Sequence, residues 1–67
     1  MALVIIVPRD DHMKFLALTQ EISALISKIG ERENDFIIVP LSGKLVEVIN
    51  VLKENSIRYT VTNEATV

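Results

Sequence analysis

The sequence predicts an α/β fold: a small β-α-β-α-β domain with a three-stranded, mainly parallel sheet packed against two helices. Three observations carry this. The motif Ile-Ile-Val-Pro closes two apolar runs, at Pro8 and again at Pro40. Each run precedes a stretch whose apolar residues recur every three or four positions, and an alternating segment follows the second stretch. A strand-helix-strand crossover returns the chain in its original direction, so three strands joined by two helices are expected to be parallel and right-handed.

The first strand is expected over residues 2–8. "ALVIIVP" is β-branched and continuously apolar, as suits a strand covered on both faces. A helix is expected over 12–29, because Phe15, Leu18, Ile22, Leu25 and Ile29 step by three and four and so share one helical face. Asp10 or Asp11 is placed to cap it, and Gly30 to stop it in a left-handed conformation. "DFIIVP" predicts the second strand over 35–40. A second helix is expected over 43–55, with Leu45, Val48, Ile49 and Leu52 on one face, Ser42 as N-cap and Asn55 as its left-handed end. In "IRYTVT", Ile57, Tyr59 and Val61 alternate with Arg58, Thr60 and Thr62, predicting a third, edge strand over 57–62. Residues 62–67 are expected to fray.

Two strand orders satisfy these elements. With order 2-1-3 the first strand is central and the helices cover opposite faces. With order 1-2-3 both helices share a face, and the residues on the other, Val4, Ile6, Ile37 and Val39 or their alternates along each strand, need a second subunit to cover them. Short sheets have edges to hide in either case, so a homo-oligomer is expected.

A chain of 67 residues forms a single domain, spanning 1–67, and 49% hydrophobic content argues against disorder. There is no cysteine, so no disulfide or thiolate metal site holds it together. The formal net charge is −2, and the seven basic residues are scattered rather than clustered. Nucleic acid is therefore not an expected partner. The opening apolar run falls far short of the roughly 20 residues that span a bilayer, so no membrane association is expected and a cytoplasmic location is.

Ligands of open parallel sheets bind beyond the carboxyl ends of the strands. Those ends are "PRDDH" and "PLSGK", which makes Arg9, Asp10, His12, Ser42, Gly43 and Lys44 the candidate binding residues. Free N–H groups at a helix start, with Lys44 beside them, suit a phosphate or carboxylate. The spacing is not that of a P-loop, which needs a further Gly four residues before its Gly-Lys. No catalytic set is present: there is no Cys, no nucleophile elbow, and one His with no second ligand cluster. No metal and no cofactor is expected.

The stretch "NDFIIVPLSGKLVEVINVLKENSIRYTV", residues 34–61, resembles the strand-helix-strand half of an ACT domain, a small amino-acid-sensing module. The strand "DFIIV", the Gly43-x-Leu45 helix opening and the spacing of "LVEVINVLKENSI" carry the likeness. It implies a dimer that binds a small ligand at the subunit boundary near Pro40, Leu41, Ser42 and Gly43. One departure stands out. An ACT domain has a further strand and hairpin between its first helix and the strand matched here, where this chain has only "GEREND". Those residues reach at most about 20 Å, too little to add a strand. The expected function is thus a non-catalytic regulatory or protein-interaction module acting as a homo-oligomer. The alternative is a small-ligand or anion-binding domain, for an amino acid or phosphate, at the strand ends.

Overall fold

A computed structural model describes residues 2–64. Strand β1 (Ala2–Pro8) runs into one turn of 3-10 helix (Arg9–Asp11) and two short helices, α1 (His12–Leu16) and α2 (Thr19–Ile22). A second 3-10 turn (Ser23–Leu25) leads to β2 (Ile26–Arg32), then β3 (Asp35–Pro40), α3 (Leu45–Glu54) and β4 (Thr60–Glu64). The sheet has four strands in the order β2-β3-β1-β4, and every neighbouring pair is antiparallel.

This overturns the three-stranded, mainly parallel sheet. The crossovers do join strands of like direction, but each pair is split by a third strand. Between β1 and β2 lies β3, and between β3 and β4 lies β1. The result is β-α-β-β-α-β, the split, ferredoxin-like arrangement. The first strand is central, as in order 2-1-3, yet both helical segments share one face. From one crossover to the other, both the strand direction and the sideways step reverse, so two right-handed crossovers land on the same side.

The added strand comes from residues expected to end the first helix. A helix over 12–29 would be about 27 Å long, against roughly 20 Å for β3. Its continuity also fails locally. Thr19 Oγ1 donates to the Leu16 carbonyl at 3.1 Å, and Ser23 Oγ to the Gln20 carbonyl at 3.1 Å. Such back-bonding draws carbonyls out of the helical ladder and bends the chain. Beyond Leu25, the β-branched Ile26 and Ile29 and the strand-interior Gly30 are weak helix formers. As strand β2 they pair from Ile26↔Pro40 to Arg32↔Asp35, with a bulge between Ile26 and Lys28, and so satisfy the outer backbone groups of β3. Gly30 is paired with Ile37 and is not a left-handed stop.

The core lies between the sheet and the helices. Ile5 and Val7 of β1, Phe36 and Ile38 of β3, Phe15, Leu18 and Ile22 of the first helical segment, and Val48, Leu52 and Ile57 form one buried cluster. The expected apolar stripe thus holds as far as Ile22, with Leu25 packed at the border of the cluster, while Ile29 is exposed on β2.

The end of α3 differs in detail from expectation. Ser56, not Asn55, is left-handed (φ 58°). The Ile57 N–H donates to the Leu52 carbonyl at 3.0 Å and the Ser56 N–H to the Lys53 carbonyl at 3.1 Å, with Ile57 and Leu52 both buried. That is a Schellman cap with its hydrophobic contact. At the other end Lys44, not Ser42, holds the N-cap position, without a side-chain cap. Leu41 to Lys44 form a turn closed by the Lys44 N–H on the Leu41 carbonyl at 2.9 Å, and Gly43 takes φ 78°, the conformation a type II turn requires there. Thr62 to Glu64 belong to β4 rather than to a frayed tail; residues 65–67 lie outside the described residues.

Candidate functional site

Alternation along the strands decides what the uncovered face carries. With Ile5, Val7, Phe36 and Ile38 turned to the helices, the opposite face receives Val4 and Ile6 of β1 and Ile37 and Val39 of β3. Cross-strand register adds Lys28, Gly30 and Arg32 from β2, and Thr60, Thr62 and Glu64 from β4. Of the two alternating sets that one of the expected strand orders left open, the structure turns Val4, Ile6, Ile37 and Val39 away from the helices. Val4 is fully buried although it stands outside the main core, while Ile6, Ile37 and Val39 are half-buried.

A charged closure explains part of that burial. Arg32 on one edge strand donates from Nη1 to Glu64 Oε1 on the other edge strand, 2.6 Å away. Three strand spacings, about 14 Å, separate those edges in a flat sheet. The two residues occupy diagonal corners, since Arg32 lies beside the end of β1 and Glu64 beside its start. Sheet twist raises one pair of diagonal corners over a face, which lets these side chains meet. The hydrogen bond to Glu64 and its negative charge hold the Arg32 guanidinium above its ordinary pKa. Beneath the bridge is a cleft of about 150 Å³ lined by Lys28, Gly30, Glu31, Arg32, Ile37, Val39 and Glu64. Gly30 leaves room there, with nothing within 4 Å of where a Cβ would stand.

The sequence-predicted binding residues are placed differently. Because β1 and β3 are antiparallel, Pro8 pairs with Asp35 while Pro40 pairs with Ile26, so "PRDDH" and "PLSGK" lie at opposite ends of the sheet. Arg9, Asp10 and His12 are not brought together with Ser42, Gly43 and Lys44. Arg9 is exposed on the 3-10 turn, and Asp10 meets Arg58 at 3.5 Å at the surface. The His12 ring stacks on Phe36 with centroids 3.7 Å apart and planes 17° apart, and its Nε2 is buried without a hydrogen-bond partner. That is a packing role. Lys44 pairs with Glu47 at 3.2 Å, while Ser42 and Gly43 border an apolar hollow with Leu3, Pro40, Leu41 and Leu45.

Asp11, which the sequence offered as a helix cap, makes no cap hydrogen bond. It is 5% exposed, and its Oδ2 accepts the Arg58 backbone N–H at 2.7 Å and Arg58 Nε at 3.3 Å. The backbone hydrogen bond from Arg58, followed by the side-chain one, holds the Asp11 carboxyl below the ordinary carboxylate range. This contact ties the start of the first helical segment to the segment entering β4.

Sequence reasoning missed Lys28, Arg32 and Glu64. The alternation Lys28-Gly30-Arg32 was their one signal, and the helical reading of residues 12–29 concealed it. Among the described residues no group of three or more His, Cys, Asp or Glu could hold a metal ion, and no helix is long and apolar enough to cross a membrane. No family model, no curated protein and no solved structure matches the chain.

Proposed function

We propose that this chain is a non-catalytic regulatory or protein-interaction module that acts as a homo-oligomer, two copies stacking through the uncovered sheet face. The observation that carries this is the row Ile6, Ile37 and Val39, apolar, half-buried, and opposite the face the helices cover.

Charge selects a second copy as the occupant. The face is basic along β2, at Lys28 and Arg32, and acidic at Asp35 of β3, opposite Arg32, and at Glu64 of β4. A two-fold axis parallel to the strands lays β2 of one copy over β4 of the other, so the face complements itself. An axis perpendicular to the strands would set β2 on β2, like charge on like. The two strands stay aligned, as in packed sheet pairs. A face of four short strands offers roughly 300–400 Å² per copy by strand spacing and rise, below the about 800 Å² of a standard interface. The expected dimer is weak and reversible.

The ligand-binding alternative loses its shared site, since the two halves of that site stand at opposite ends of the sheet. The ACT resemblance stays a proposal; it is supported by the β-α-β-β-α-β order, which supplies the strand that "GEREND" alone had no room for. A cytoplasmic setting is part of the same reading and suits a chain without cysteine.

Sedimentation of wild type and Ile37→Lys from micromolar to about 1 mM, the range of weak association, tests the reading. Wild type is expected to dimerise with rising concentration, and Ile37→Lys to stay monomeric with its fold intact by circular dichroism. A wild-type chain that remains a 7.5 kDa monomer throughout sinks the proposal.

A further inference from the structure

We infer that the Arg32–Glu64 bridge is a latch: it closes the uncovered face in the free chain and opens as a second copy docks, Glu64 passing from Arg32 of its own chain to Lys28 of the other. This rests on the dimer reading above and deepens it to the regulation of that face.

Three observations combine here. The bridge spans the sheet from one edge strand to the other and closes over Ile37 and Val39. A stacked sheet lies about 10 Å away and must interdigitate with those residues, so bridge and partner compete for one space. The remaining ion pairs among the described residues lie elsewhere: Lys44–Glu47 is local to the start of α3, and Arg58 meets Asp10 and Asp11 beside the helices. Finally, Lys28 lines the same cleft and makes no ion pair among the described residues.

Register supplies the exchange. Lys28 pairs with Val39 and Thr62 with Val4, and the β1–β3 register continued one residue beyond Ile5↔Ile38 sets Val39 opposite Val4, so Lys28 and Thr62 occupy the same level of the sheet. In the strand-parallel two-fold, Lys28 therefore lies over the partner's β4 at the level of Thr62. Glu64 is two residues on, about 7 Å, within the reach of a lysine side chain. The Arg32 side chain is 53% exposed and that of Glu64 21%, so the bridge is open to water on its Arg32 side, and ion pairs reached by water are weak and readily broken.

The experiment is sedimentation across a concentration series, with the melting midpoint as a check on folding. Arg32→Gln removes the latch and leaves Glu64 free for the partner, so dimerisation is expected to tighten about two- to five-fold, the range an exposed ion pair can yield. Arg32→Lys keeps the charge and should associate like wild type. Lys28→Glu should weaken the dimer, and Lys28→Glu with Glu64→Lys in one chain should restore it. If Arg32→Gln associates no more tightly than wild type while Ile37→Lys abolishes association, the latch is wrong and the dimer reading stands. Absence of association in both wild type and Arg32→Gln overturns both together.

Discussion

Ile37 and Ile38 are consecutive residues of one strand, and they separate the two faces of the sheet. Ile38 is fully buried against Phe15, Ile22 and the α3 residues of the core; Ile37 is half-buried on a face with no second layer. Both faces are apolar at their centre, so apolarity does not say which one a helix will cover. The crossovers decide that, and the face they leave is free for association. The same kind of side chain therefore serves folding on one side and, in the proposed dimer, recognition on the other.

The sharpest way to break this comparison is to shorten each isoleucine. Ile38→Ala should cost about 2–5 kcal/mol, a buried large-to-small change that leaves a cavity. Ile37→Ala should cost well under half of that and act instead on self-association. Urea unfolding of the two variants measures the difference, and equal losses would mean that the second face is a core as well.

A smaller effect is expected where the covered side is tied together by Asp11. Its folded carboxyl titrates below its unfolded value of about 3.9. The stabilisation from Arg58 is therefore complete above that value and is lost as pH falls through the lower, folded one. Thermal midpoints of wild type should drop on acidification below about pH 4. Asp11→Asn should be less stable at neutral pH and show a shallower acid limb. Asp10→Asn, at an exposed position, should change neither by much. Identical acid limbs for wild type and Asp11→Asn would refute the assignment.

Backbone strain contributes less again. Among the described non-glycine residues, Glu33 and Ser56 have positive φ, at 57° and 58°. Such a conformation costs an L-residue roughly 1–2 kcal/mol, partly offset by the greater freedom glycine brings to the unfolded chain. Ser56→Gly and Glu33→Gly should each stabilise the fold by about 0.5 kcal/mol. Ser56 lies on the helix side, so self-association should be unchanged by Ser56→Gly, and a shift in dimerisation with it would show that the two faces are coupled; Glu33 adjoins Arg32, and its charge acts on that guanidinium. The smallest effect belongs to Ser42→Ala, expected within about 0.5 kcal/mol of wild type because Ser42 caps no helix. A loss near 1 kcal/mol would restore the cap.

The two halves of the chain were unequally legible. Residues 35–54 read well: β3 occupies the six residues expected, and α3 falls within the expected helix, its stripe of Val48 and Leu52 buried. The first half read well only as far as Ile22. Phe15, Leu18 and Ile22 have helical spacing and are buried, but the same spacing continued to Leu25 and Ile29 by coincidence, across a change of structure. The hairpin that follows had no glycine signal, since its left-handed residue is Glu33 and Gly30 sits within the strand. Of the candidate site, the need for cover on one face of β1 and β3 was legible, but whether Val4, Ile6, Ile37 and Val39 or their alternates formed that face was decided only by the fold. Its charged rim was not legible.

By itself the sequence determined what depends on neighbours a few residues away: the apolar strands at 2–8 and 35–40, the amphipathic α3, and the absence of any thiol chemistry. Only the tertiary structure decided that residues 26–32 are a strand, that β1 and β3 are antiparallel, and that Arg32 meets Glu64. The reason is physical. Side-chain periodicity is a local property and is the same for parallel and antiparallel pairing. Pairing itself is settled by which distant strand satisfies the backbone groups of β3, and β2 could be recognised only once β3 was in place to pair with it.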